Sequence, residues 1–181
     1  MRTTLATLAL LLLCVIGCSR REEQKPAAAA ANVAELTGVE QRAGRAPNFT
    51  WTDPSGQSVS FDSFKGSVTL VNFWATWCVP CKKELPDLVA ISRELSGKNV
   101  KVIGISTDRG LNVTAEVSAF VKEQGIPYQI LISNDELESA FGNIRAIPAS
   151  FLVDEGGMIV KTMIGLHSKE AFVQAITSAL K

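Results

Sequence analysis

Apolar and polar positions change rhythm several times along the chain. Leu5–Ile16 is a nearly unbroken apolar run. From Ser19 to about Arg45 the chain turns polar and then alanine-rich, with too few large apolar residues to bury a core. From Pro47 the pattern shortens. "NFTW" and "QSVSF" flank the turn signal "DPSG" and predict a β-hairpin. "SVTLVNFW" (Ser67–Trp74) is apolar on both faces, as a buried central strand would be. Helix-spaced Leu85, Leu88, Ile91 and Leu95 predict a helix from Val79 to Leu95, with Pro86 removing one backbone bond and kinking it. "NVKVIGIS" (Asn99–Ser106) predicts a second buried strand. Thr114–Gln124 predicts a short helix with Val117, Phe120 and Val121 inward. "YQILIS" is strand-like, and "NDELESAFG" opens on an Asn cap and closes at Gly142, as a short helix does. "ASFLVD" and "MIVKTMIG" flank "EGG", a second hairpin, and Ser168 caps a last helix to Leu180. Alternating strands and helices predict an α/β sandwich with a parallel core, helices on both faces and antiparallel strands added by the terminal hairpin.

The ends of this pattern set the expected organisation. Leu5–Ile16 is short for a membrane span and suits the h-region of a signal peptide, with Arg2 in its n-region. The run ends in "VIGC", and Gly17-Cys18 resembles the bacterial lipobox, whose cysteine is lipidated and becomes the new N-terminus. Plain secretion and an uncleaved anchor are the alternatives. The expected division is a lipoprotein signal peptide over 1–18, a tether over 19–45 and one domain over 46–181. Cys14 would be discarded with the signal, and Cys18 would carry the lipid. Two of the four cysteines then remain for the domain, Cys78 and Cys81, in an extracytoplasmic compartment where disulfides persist. Zero formal net charge and the lack of a basic stripe argue against a nucleic-acid partner.

Cys78 and Cys81 lie three apart, where the central strand passes into a helix. Free N–H groups and the dipole at that helix start favour a thiolate on Cys78. Cys81, one turn on, can resolve a mixed disulfide formed there. Pro80 fits the first turn, where a missing N–H costs nothing. A zinc site would need further Cys or His ligands, and the domain offers only His167. A staple closing so short a loop would restrict the unfolded chain little. A redox pair needs nothing more, and no metal or other cofactor is implied.

"LVNFWATWCVPCKKELP" resembles the active-site signature of the thioredoxin superfamily, and in particular its membrane-tethered TlpA/ResA-like branch. The resemblance covers about Pro47–Lys181. It includes the "APNFTWTDPSGQSVSFDSFKGS" opening, an inserted helix and strand between about Thr107 and Asn143, and "IRAIPASFLVD". It implies a thioredoxin-like three-layer α/β/α sandwich with an N-terminal β-hairpin and a central α/β insertion. It also implies a thiol–disulfide oxidoreductase, usually a reductase. Pro148 matches the superfamily's loop proline, which is cis and lies beside the disulfide. That turn exposes the backbone of Ile147 to an extended substrate, and Trp77 is expected at the edge of the site. Other thioredoxins place a buried Asp six residues before the first cysteine. Here that position is Asn72, which cannot titrate. Relatives of this branch often carry Glu at position 84. Glu84 could take a proton from Cys81, or it could be a solvated surface residue beside Lys82 and Lys83. His167 is expected on a surface loop.

The expected function is disulfide reduction in exported proteins such as apocytochrome c, with a membrane electron donor to regenerate the dithiol. The Val79-Pro80 dipeptide carries no charge and no His, which favours a reductant over a strong disulfide donor. A peroxiredoxin-like peroxidase shares the opening segment. However, Thr76 lies only two residues before Cys78, where a peroxidase has Thr three before. A copper-binding assembly module would use Cys78 and Cys81 as soft ligands.

Overall fold

The computed structural model describes residues 32–180. One eight-stranded sheet runs through the domain in the order β3-β2-β1-β6-β5-β4-β7-β8. Its strands are β1 (Val33–Glu40), β2 (Asn48–Thr52), β3 (Ser58–Ser60), β4 (Val68–Trp74), β5 (Val100–Ser106), β6 (Gln129–Ile132), β7 (Ala149–Val153) and β8 (Ile159–Ile164). The helices are α1 (Val79–Glu94), α2 (Val113–Glu123), α3 (Asp135–Ala140) and α4 (Lys169–Ala179), with a 3-10 turn at Phe61–Phe64. β1, β6, β5 and β4 run parallel, and the flanking pairs are antiparallel. The predicted elements are all present, and the fold is the expected thioredoxin-like mixed α/β sandwich.

β1 corrects the expected tether over 19–45. Val33–Glu40 pairs with β6 on one side and β2 on the other, so it joins the hairpin to the main sheet. Its Val33, Ala34, Leu36 and Val39 are only partly buried against the two cores, with Glu35, Thr37 and Gly38 between them. So weak an apolar pattern reads as a linker. The strand is ordered by backbone bonding to two neighbours, which composition does not display. The domain therefore begins by about Asn32, and the expected signal peptide and Cys18 lie outside the described residues.

β4 is buried along all seven residues, because β5 and β7 flank it and layers cover both faces. On one face Val68, Leu70 and Trp74 meet Leu85, Leu88 and Ile91 of α1 and Phe172 and Ile176 of α4. On the other, Val71 and Phe73 meet Phe141 and Phe151, whose rings lie 5.0 Å apart, and the Phe49–Phe61 stack of the hairpin side. Each such side chain contributes about 1.5–3 kcal/mol on burial, so these two layers dominate the fold's stability. Local signals close the elements as predicted. Asn134 Oδ1 accepts from the Leu137 N–H and Ser168 Oγ from the Ala171 N–H. Asp53 Oδ1 accepts from the N–H groups of Ser55 and Gln57 and shapes the first hairpin turn.

Candidate redox site

The site forms where β4 ends. The carbonyl of Ala75 accepts from the Cys78 N–H at 3.1 Å, turning the chain into α1. Cys78 is the N-cap of α1, in extended conformation, and the Cys81 N–H donates to its Sγ at 3.2 Å. A helix start thus points a backbone donor at this sulfur. Cys78 and Cys81 form a disulfide with Cα atoms 5.3 Å apart. The helix continues through Pro86.

Sheet register supplies the second wall. Phe73 of β4 lies opposite Ala149 of β7, which places Pro148 at the end of β4 from which Cys78 departs. The Ile147–Pro148 peptide is cis, as the resemblance implied, and the Ile147 carbonyl oxygen lies 3.8 Å from Cys78 Sγ. Pro148 is buried and Ile147 half-buried. Trp77 stands 67% exposed at the rim. It borders an open cleft of about 320 Å³ with Thr107, Arg109, Ile144, Arg145 and Ile147. In the disulfide form Cys78 and Cys81 are covered alike, at 3% and 4% exposure. Neither sulfur stands clear of the surface while they are joined.

Glu84 is buried, at 1% exposure, so the solvated-surface alternative does not hold. Leaving Cys81 by one helical turn carries it inward under the sheet. Its Oε1 accepts from Asn72 Nδ2 at 3.1 Å and its Oε2 from the His167 N–H at 3.0 Å. Asn72 Nδ2 also donates to Ser150 Oγ, its cross-strand neighbour, at 2.9 Å. Burial pushes the Glu84 carboxyl up to about 7, against the two hydrogen bonds that favour its ionised form. A proton can therefore reside on or leave Glu84 near neutral pH. Burial, and then the Glu84 charge, push the Tyr128 phenol above its ordinary range.

His167 is half-buried rather than a free surface residue. Its ring meets Phe172 edge-on at 6.0 Å, and its Nε2 is buried with no hydrogen-bond partner among the described residues. The chain after β8 must pass over α1 before α4 begins, which presses this loop against Glu84. Asn72, known from the sequence as a residue that cannot titrate, proves to be the donor that holds Glu84. Ser150, Tyr128 and the His167 backbone complete the surroundings of this pair. Nothing local marks them: the His167 N–H meets Glu84 directly, Ser150 meets only Asn72, and Tyr128 feels the Glu84 charge, all through the fold.

A family model described as "AhpC/TSA family" matches residues 43–162. The thiol-disulfide oxidoreductase ResA of Bacillus anthracis is 32% identical over 125 residues, 69% of this chain and 70% of that protein. A crystal structure of a thiol:disulfide interchange protein of the thioredoxin family from Chlorobium tepidum TLS matches with a TM-score of 0.68 and 33% identity. That match covers 78% of this chain and 99% of the other. StoA from Bacillus subtilis matches with a TM-score of 0.60 and 30% identity, over 72% and 97%. A disulfide at a helix start, a cis-proline beside it and these likenesses agree: the chain belongs to the AhpC/TSA family, as a thioredoxin-like thiol–disulfide oxidoreductase whose redox disulfide is Cys78–Cys81.

Proposed function

We propose that this protein reduces disulfides in exported proteins, the haem-attachment cysteine pairs of apocytochrome c among them, while held at the outer side of a membrane by lipid on Cys18. In the reduced protein the Cys78 thiolate attacks a substrate disulfide. A bond forms from Cys78 Sγ to one substrate sulfur, and the other substrate sulfur leaves and takes up a proton. Glu84 accepts the Cys81 proton, and the Cys81 thiolate attacks Cys78 Sγ. The second substrate sulfur leaves as a thiol, and the protein holds the disulfide. Two electrons pass to the substrate, so a membrane dithiol donor must restore the pair.

The observation that carries this reading is the burial of Glu84 one helical turn beyond Cys81. A carboxylate there opposes thiolate formation and so favours the reducing direction. Val79-Pro80 supplies no compensating positive charge. The cleft beside Trp77 and the Ile147 backbone offer an extended polypeptide a place to lie. Thr76 donates its hydroxyl to Asp108 rather than to a sulfur, which speaks against the peroxidase alternative.

The test is capture in cells. Cys81→Ser should accumulate mixed disulfides on Cys78, and mass spectrometry should find exported proteins with paired cysteines. Capture of cytosolic proteins alone would refute the reading. Cys18→Ser should abolish partition into detergent; a variant that still partitions removes the lipid anchor from the proposal.

A further inference from the structure

Three residues turn the chain from β4 into α1, and a buried carboxylate outside the disulfide chemistry holds the middle one. Asp108 follows β5 by two residues and is 8% exposed. Its Oδ2 accepts from the Thr76 N–H at 2.9 Å and its Oδ1 from the Thr76 hydroxyl at 2.6 Å. Ser106, fully buried, donates its hydroxyl to Oδ2 at 2.8 Å and accepts from the Asp108 N–H at 3.2 Å. Thr107 adds its N–H and hydroxyl to the Trp74 carbonyl, at 2.8 and 3.2 Å.

Burying a carboxylate is costly unless donors replace water. Here three neutral donors do so, and two of them come from Thr76. Arg109, the adjacent cation, does not serve it. Its Nη1 goes to the carbonyls of Thr107 and Asp108, and its Nη2 to Glu138 and Asp135. The carboxylate is thus committed to the turn. The position of that turn decides whether Cys78 Sγ meets the Cys81 N–H at 3.2 Å, the contact that favours its thiolate.

We propose that Asp108 is a positioning residue of the redox site: through Thr76 it fixes the turn that delivers Cys78 Sγ to the first turn of α1. Loosening the turn weakens thiolate stabilisation, so the reduced form loses relative to the disulfide.

The measurement is the equilibrium of the full chain with reduced and oxidised glutathione, together with the pH at which Cys78 becomes alkylatable. Thr76→Val keeps the N–H but removes the hydroxyl. It should move the equilibrium roughly tenfold toward the protein disulfide, about 30 mV for a two-electron couple. It should also raise the alkylation midpoint. Thr76→Ser should restore wild-type values in both. Thr76→Val in an Asp108→Asn background should add little, since the two share one interaction. If Thr76→Val folds and keeps the wild-type equilibrium and alkylation midpoint, Asp108 merely packs the loop and the proposal fails. If Asp108→Asn does not fold, the two Thr76 variants decide alone.

Discussion

At Glu84 two demands oppose each other. Burial favours the neutral carboxyl, while the Asn72 amide and the His167 N–H both donate and so favour the anion. The result is a group that changes charge near pH 7 in the disulfide form. Glu84→Gln should lower the Cys78 and Cys81 thiol pKa values, because a buried negative charge one helical turn beyond Cys81 is removed. It should also slow release of substrate from the mixed disulfide by about 10–100-fold, because the carboxylate proposed to take the Cys81 proton is gone. Stopped-flow exchange with a disulfide peptide across pH, beside thiolate absorbance titrations, checks both. Unchanged rates with unchanged thiol titrations would place the proton acceptor elsewhere.

At the scale of elements, the sheet depends on two inconspicuous features. The first is β1, which alone connects the β2–β3 hairpin to β6. A chain starting at Asn32 should fold as the full chain does. One starting at Gln41 should lose the hairpin's attachment and expose Trp51 and Phe49, buried at 2% and 0%. Hydrogen exchange would show this as lost protection across β2 and β6. The second is Gly104 in β5. A Cβ there would lie 2.5 Å from Ile130 Cδ1 and 2.9 Å from Trp74 Nε1. Gly104→Ala should destabilise the protein by about 1–3 kcal/mol, read from the denaturant midpoint, because the buried Ile130 side chain and the Trp74 ring must both give way.

For the molecule as a whole, Glu84 links stability to pH with an unusual sign for an acid. Its carboxyl titrates near 7 when folded, against 4.5 as the ordinary value. Between these the folded state holds the proton that the unfolded chain has lost, so stability falls as pH rises through this window and levels off above it. The size is on the order of 3 kcal/mol, at about 1.4 kcal/mol per pH unit. Asp62 acts in the opposite sense at lower pH. Burial raises it, but hydrogen bonds from Arg42 and Lys65 outweigh that, so its contribution is lost as the pH falls. Chemical denaturation of the oxidised protein from pH 4 to 8 should show the decline, and Glu84→Gln should flatten it. An equal slope in both proteins would mean that Glu84 does not hold its proton in the fold.

Local pattern determined much of this. Hydrophobic period, caps at Asn134 and Ser168, and turn signals at Asp53 and Gly156-Gly157 specify their elements, because those preferences act over a few residues. The Cys78–Cys81 spacing after an apolar strand specifies the redox pair for the same reason: strand end, helix start and both sulfurs are neighbours in sequence. Only the tertiary structure decided the rest. β1 is a strand because two partners supply its backbone bonds, though its own composition reads as a linker. Glu84 is buried because α1 packs under β4 and the loop at His167 closes over it, although Lys82 and Lys83 beside it are exposed. Asp108 reaches Thr76 across 32 residues only because β5 lies parallel to β4 and ends at its tip. Burial and hydrogen-bond partners distant in sequence set a side chain's charge and role, and these belong to the packed sheet rather than to any stretch of residues.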